Sequence, residues 1–255
     1  MSDGVPFGIA FLVALAVVGY DGGQCIHAQP AYPAWFKTSP SGGTALWAVG
    51  YAPAYSNLSD GVSVAKADAY DALRAAHRMV ILGEKLYEDA PGYGASIEGR
   101  SFVRMGLPDT LHSVSYVDSV RAGGMTLVLA TWAPDGGSSR GPSSSRSPFS
   151  STRPSWVEQE LHGGHAARRA VGIAPRYYNL ESSWRTAETR ARRRLAFKAA
   201  SHVRSLNTSS DEWKHDVKSI LTGVLLRRAQ VVARWADKET CYVLVEGTVE
   251  AVFTQ

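Results

Sequence analysis

The sequence predicts an α+β protein built as two tandem modules, each a long Ala-rich helix packed on a small, mainly antiparallel sheet. Three observations predict it. A set of residues recurs at a fixed separation. An alanine stripe at helical spacing follows each recurrence. Each copy then closes on two runs of period-two alternation joined by a turn.

The recurrence opens with Pro33-Ala34-Trp35-Phe36 and Pro154-Ser155-Trp156-Val157. Ala48-Val49-Gly50-Tyr51-Ala52-Pro53, Tyr55 and Asn57-Leu58 then match Ala170-Val171-Gly172-Ile173-Ala174-Pro175, Tyr177 and Asn179-Leu180, each pair 122 positions apart. The separation holds into the next segment, where Ala65, Ala69 and Leu73 match Ala187, Ala191 and Leu195. Tyr116-Val117-Asp118 resembles Trp235-Ala236-Asp237, and an apolar run follows each.

Within a module, the Ala-Val-Gly segment reads as a short strand whose glycine marks a close backbone approach. The helix comes next. In the first copy Ser59 or Asp60 can cap it, and Ala65, Ala69, Ala72, Leu73, Ala76, Met79 and Val80 share one face. In the second copy the stripe is Trp184, Ala187, Ala191, Leu195, Ala199, Val203 and Leu206. Ala229 to Trp235 and Cys241 to Val249 alternate, and Asp237-Lys238-Glu239-Thr240 joins them as a hairpin. The first copy has the same hairpin with a longer turn, Ser119 to Gly124, which places Asp118 and Asp237 as matching turn caps. Residues 91–112 and 207–222 read as either an edge strand or a short helix.

These elements divide the chain into a signal-like segment at 1–28, a first module at 29–133, a linker at 134–153 and a second module at 154–255. In the linker, Ser, Gly and Pro fill 14 of 20 positions. Such a composition buries no core and reads as a flexible spacer, spanning about 25 Å root-mean-square. At the N-terminus, the apolar run Phe7 to Gly19 is too short for a comfortable membrane span and suits the core of an export signal ending near Ala28. Met1-Ser2-Asp3 lacks the positive charge usual there. Cys25 is the lipidation candidate, although Gly22-Gly23-Gln24 before it lacks the aliphatic residue a lipobox carries.

The net charge of +4 is unevenly placed. Residues 1–133 hold 8 Lys+Arg against 11 Asp+Glu, and residues 134–255 hold 19 against 12. Head-to-tail contacts between such halves close into rings or run on as filaments. Two cysteines are too few for a disulfide framework or a zinc site of their own.

The order of features resembles the twenty-kilodalton outer-membrane lipoprotein family. Arg194-Leu195-Ala196-Phe197-Lys198-Ala199-Ala200, Val232-Ala233-Arg234-Trp235-Ala236-Asp237 and Tyr242-Val243-Leu244-Val245 carry the resemblance. The first copy carries it through Ala48-Val49-Gly50-Tyr51-Ala52 and its Ala-rich helix. The resemblance implies an exported protein of the periplasm, outer membrane or cell surface. Relatives include flagellar basal-disk proteins and flagellar assembly protein T, which are structural parts. It brings no catalytic residues, metal or cofactor.

Candidate chemistry in the residues is sparse. His162-Gly163-Gly164-His165 offers two imidazoles without a third ligand at metal spacing. His77, His202 and His215 show no partner in sequence. Cys241 falls on the inward set of its strand and reads as a buried thiol. Ser63-Val64-Ala65-Lys66 and Gly137-Ser138-Ser139-Arg140-Gly141 match short catalytic patterns but lack the accompanying motifs and the strand–turn–helix setting. The one interaction site the residues suggest is the basic helix surface of Arg190, Arg193, Arg194 and Lys198. Asp68 and Asp71 stand at the positions matching Arg190 and Arg193. The charge is therefore dispensable to the fold on this reading and points to a contact with an acidic neighbour or anionic lipid.

The sequence thus predicts a non-enzymatic envelope protein that self-associates into a ring, plate or filament. Its expected partners are further copies of itself, other envelope proteins and the outer membrane. No cofactor is expected, and no nucleic acid, since no aromatic-rich RNA motif is present. The alternative is a periplasmic module that binds an anionic lipid, polysaccharide or nucleic acid.

Overall fold

Two glycines set how the helices lie on the sheets. A Cβ on Gly50 would land on the Ala65 carbonyl oxygen, the Ala69 amide and the Ala69 methyl. A Cβ on Gly172 would land on the Ala187 carbonyl and the Ala191 amide. Ala65, Ala69, Ala187 and Ala191 are all fully buried. Small residues on the helix and none on the strand let the two backbones touch, and the same contact occurs twice, 122 residues apart.

The computed structural model describes residues 30–40, 43–87, 97–104, 110–135, 141–142, 144–161, 168–207 and 218–254. The elements are β1 (Tyr32–Pro33), α1 (Ala34–Lys37), β2 (Leu46–Pro53), α2 (Leu58–His77), β3 (Arg78–Tyr87), β4 (Ile97–Arg104), β5 (Ser115–Ala122), β6 (Met125–Trp132), β7 (Arg146–Ser147), α3 (Ser155–Leu161), β8 (Arg169–Pro175), α4 (Leu180–Asn207), β9 (Lys218–Ala236) and β10 (Thr240–Thr254). Helices and antiparallel sheets together make an α+β fold, as the sequence predicts. Among the described residues, no helix is long and apolar enough to cross a membrane. The segment 1–28, with Cys25, lies outside the described residues.

The strands form three sheets, ordered β2-β6-β5, β4-β3-β9-β10-β8 and β1-β7. In the first, β2 runs antiparallel to β6 from Leu46↔Trp132 to Pro53↔Met125. In the second, β8 runs antiparallel to β10 from Arg169↔Glu246 to Pro175↔Thr240. Each half therefore sets its first strand at a sheet edge, beside the second strand of its closing hairpin. The Pro-x-Trp segments open short helices, α1 and α3, in both halves.

β2 and β6 read as near-continuous apolar runs because both faces of their sheet are covered. Leu46, Ala48, Ala52, Val128 and Ala130 pack under α2 in one core. Trp47, Val49, Tyr51, Leu127 and Leu129 face the other way, into the larger core shared with α1, α4, β9 and β10.

Four expectations are corrected. The α2 cap is Asn57, whose Oδ1 accepts from the Ser59 amide at 3.1 Å. The helix stops at His77, and Met79 and Val80 continue as strand β3. β5 runs to Ala122, so the turn is the pair Gly123-Gly124 with φ of +58° and +74°, suited to a tight hairpin. Asp118 is thus a mid-strand residue at a bulge, accepting from the Trp35 indole N–H at 2.9 Å. Only Asp237 caps a turn, accepting from the Glu239 and Thr240 amides at 2.9 and 2.8 Å.

The latter part of the segment read as a flexible linker packs on the core. Arg146 and Ser147 pair with β1, Phe149 is buried between Tyr32 and Trp184, and the Ser150 carbonyl accepts from the Trp235 indole at 2.9 Å. The two halves also share a sheet. The β3–β4 hairpin of the first half pairs along Lys218–Arg227 of β9, from Arg78↔Arg227 to Tyr87↔Lys218. The two unclear stretches therefore contain strand: β4 lies within 91–112, and β9 begins inside 207–222.

Replacing either close-approach glycine should force helix and strand apart. Gly50→Ala and Gly172→Ala are each expected to lower stability by about 1–3 kcal/mol in urea denaturation. Parental stability in both variants would contradict the backbone contact.

Candidate functional site

The two most buried charged side chains among the described residues, Arg234 and Glu188, meet where the halves join. Glu188 sits on α4 one turn past Trp184, on the buried stripe. Arg234 reaches it from β9 because of a bulge. Leu244 pairs with Ala233 and Val245 with Val231, so Val232 is an extra residue. That insertion reverses the strand's alternation, placing Arg234 on the buried side that Val231 occupies before it.

The Arg234 side chain is 1% exposed and that of Glu188 is 7% exposed. The Arg234 guanidinium donates to Glu188 Oε1 at 2.9 Å, to the Tyr51 hydroxyl at 2.8 Å and to the Phe36 carbonyl at 3.1 Å. The Tyr51 hydroxyl donates to the same Glu188 oxygen at 2.5 Å. Arg192, one helical turn on, lies 3.4 Å from Glu188 Oε2 and donates to the Ala229 carbonyl at 3.2 Å. The network joins α1, β2, α4 and β9.

Its electrostatics are those of a locked ion pair. Burial works against the Glu188 charge, but Arg234 and then Arg192 outweigh it, and its carboxyl is held below the ordinary value of 4.5. Burial likewise opposes the Arg234 charge, and Tyr51 and Glu188 overcome it. The Tyr51 phenol is pushed well above 10.0, chiefly by burial, so it stays neutral and donates. Glu188, Arg234 and Tyr51 are each moved further from neutral pH, and the arrangement is suited to holding rather than to proton transfer.

A cleft of about 310 Å³ opens beside the network, between α2 and α4. Its floor includes Val49 and Met79, and Asp68, Asp71, Arg185 and Arg192 stand on its walls. Across its mouth Arg185 pairs with Asp68 at 2.9 Å. Both also hold the edge of β2: the Tyr51 amide donates to Asp68 at 2.7 Å, and the Tyr51 carbonyl accepts from Arg185 at 2.7 Å. Burial raises the Asp68 carboxyl above its ordinary value despite these partners.

The basic residues singled out from sequence have an internal role. Arg190, Arg194 and Lys198 fall in one row at i, i+4, i+8 and donate to the carbonyls of Ile173, Val171 and Arg169, at 2.7, 3.0 and 3.4 Å. These alternate carbonyls point away from β10, at the free edge of β8. Arg193 stands off this row. These side chains therefore serve the fold by closing an edge, a role that either sign of charge fills at this position. Asp68 and Arg190, matching helix positions, cap the matching edge residues Tyr51 and Ile173. An acid takes the N–H, and a base takes the C=O of the same outward-facing unit.

Other residues named from sequence stay apart. Lys66 lies over the Tyr116 ring at 5.2 Å. His77 meets Trp132 edge-on at 4.8 Å. Cys241 is buried, and burial pushes its thiol up to about 12, which keeps it protonated. His162 to His165, His215 and Gly137 to Arg140 lie outside the described residues. Among the described residues, no three His, Cys, Asp or Glu side chains gather as metal ligands.

No family model, curated protein or solved structure matches this chain.

Sequence reasoning missed Tyr51, Glu188, Arg192 and Arg234 as a set. Glu188 carried a signal: a carboxylate at helical spacing between Trp184 and Ala191. Arg234 carried none, because the bulge that turns it inward depends on the partner strand.

Removing one partner should strand a buried charge. Glu188→Ala and Arg234→Ala are each expected to cost about 3–5 kcal/mol in urea denaturation, and Glu188→Leu with Arg234→Met together should restore much of it. The pH profile follows from the lowered carboxyl. The Glu188 contribution is fully present above pH 4.5 and is lost as pH falls through its lower folded value. Glu188→Gln should therefore flatten the acid side of the stability profile.

The edge caps yield a charge-reversal test. Arg190→Asp should change stability by no more than about 0.5 kcal/mol, because aspartate can take the Ile173 N–H as Asp68 takes that of Tyr51. Asp68→Arg should destabilise by more, since it sets two guanidiniums on one carbonyl.

Proposed function

We propose that this chain is a non-enzymatic structural component of the bacterial cell envelope, a duplicated module that self-associates into a ring, plate or filament. The observation that carries the reading is the use of its buried charges. Arg234, Glu188 and Tyr51 satisfy one another where the two halves join, with Arg192 beside them. Chemistry of that kind suits a rigid part.

The tandem duplication is supported by the paired contacts of Gly50 with Ala65 and Ala69 and of Gly172 with Ala187 and Ala191. The matching strand orders β2-β6-β5 and β9-β10-β8 support it too. A duplicated unit presents like surfaces twice. At the strand-to-helix turns, Tyr55 and Tyr177 are both about two-fifths exposed, and Tyr178 beside the latter is wholly exposed. Two like contact points give a subunit the valence that rings and filaments require. Export rests on the apolar run Phe7 to Gly19 and on the family resemblance.

The reading in which the basic helix surface binds a polyanion has less support. Arg190, Arg194 and Lys198 already donate to β8 carbonyls.

Light scattering on residues 29–255 at low and high salt, with negative-stain images of the peak, tests the proposal. A discrete species larger than a monomer is expected, and Tyr177→Ser with Tyr178→Ser should reduce it. A monomer at both salts would overturn self-association by this part of the chain.

A further inference from the structure

The cleft between α2 and α4 has a division of charge, and the Asp68–Arg185 pair that joins the halves uses only part of it. Its α2 wall carries carboxylates, Asp68 and Asp71. Its α4 wall carries guanidiniums, Arg185 and Arg192, while the Glu188 charge beside them is met from behind by Arg234. Between the walls the lining is apolar, with Val49, Ala72, Ala75 and Met79. The volume, about 310 Å³, lies at the lower end of small-molecule sites.

Two of the four charges have capacity left for a ligand. The Asp71 side chain is 57% exposed, and its ion pair with Arg74 is long, at 3.5 Å. Arg192 is held in place by Ala229 and Glu188, which take two of the five N–H donors of a guanidinium. Its side chain is only 8% exposed, so an anion reaching it does so largely out of water, where a charge-assisted hydrogen bond is stronger. Asp68 and Arg185 are committed to each other and to the Tyr51 backbone.

We propose that this cleft binds a small zwitterion with an apolar body, of the class of a free apolar α-amino acid. Its ammonium lies toward Asp71, its carboxylate toward Arg192 and its side chain over Val49, Ala72 and Met79. A plain anion would meet the two aspartates, and a plain cation the two arginines. Only a ligand carrying both charges is matched to both walls. The site is independent of self-association, because its walls come from one chain.

Isothermal titration calorimetry on the full chain tests this with L-leucine, L-methionine and L-phenylalanine. N-acetyl-L-leucine lacks the ammonium and L-leucinamide lacks the carboxylate. Binding of at least one free amino acid is expected, with each capped form weaker by about tenfold or more. Asp71→Asn should weaken the free amino acid by a similar factor. Ala72→Phe, at a half-buried wall position, should abolish binding while leaving thermal unfolding within a few degrees of the parent. Absence of binding at millimolar amino acid would overturn the proposal. So would equal binding of the capped forms, or parental affinity in Asp71→Asn.

Discussion

Glu188 cannot be buried alone. An ionised carboxylate taken out of water costs several kcal/mol unless partners replace its hydration, and here the partners come from β2, β9 and its own helix. Arg234 must lie on the buried side of β9, which needs the bulge at Val232. Tyr51 must present its hydroxyl from β2, and α1 must bring the Phe36 carbonyl to the far side of the guanidinium. A guanidinium's donors point in fixed directions in one plane, so satisfying three of them at once fixes where β2, α1 and α4 stand. The surrounding cluster of Phe36, Trp184 and Phe149 supplies the apolar area. Apolar area alone is non-directional and would tolerate neighbouring arrangements of the halves.

The sheet edges impose the second constraint. An edge strand offers unpaired N–H and C=O groups to any passing strand. Both first strands are such edges, and both are closed by the helix that follows them in sequence. On β8 the closure is a row of cations one turn apart. On β2 it is a carboxylate on the amide and an arginine borrowed from the other half on the carbonyl. The opposite net charges of the two halves are thus partly two solutions to one problem.

The periodic features were legible in the sequence. The helix after each Ala-Val-Gly strand and the antiparallel pair that ends the chain follow from local patterns and appear in the fold, although the alternation along β9 breaks at Val232. Features that depend on a partner were not. Met79 and Val80 continue the helical face of α2 as well as they begin a strand, and what decides between the two is β9, far along the chain. Phe149 is one aromatic in a Ser-rich stretch, and composition could not show that a pocket between Tyr32 and Trp184 awaits it. Gly123-Gly124 marked a turn correctly, but the polar look of Ser119 and Arg121 hid that the strand continues through them. The site suffered most, because Arg234 looks like a surface residue until the bulge is placed, and Glu188 on its buried stripe has no visible partner without it.

The joint between the halves is a heterologous contact, and its chemistry says how far it can propagate. The β2 edge of the first half meets α4 of the second. For the same contact to repeat between chains, the β8 edge would have to meet α2 of another copy. At the matching positions Ile173 replaces Tyr51 and offers no hydroxyl, Lys66 replaces Glu188, and Tyr70 replaces Arg192. Arg190 would face Ser63 where Asp68 faces Arg185. A second copy of the joint would therefore bury a lysine without an acid, and β8 is already closed by its own cations. The contact is limited to the two halves of one chain by its own side chains. Any larger assembly has to grow from other surfaces, and among the described residues the exposed tyrosines at the strand-to-helix turns are the ones that the fold leaves uncovered in both halves.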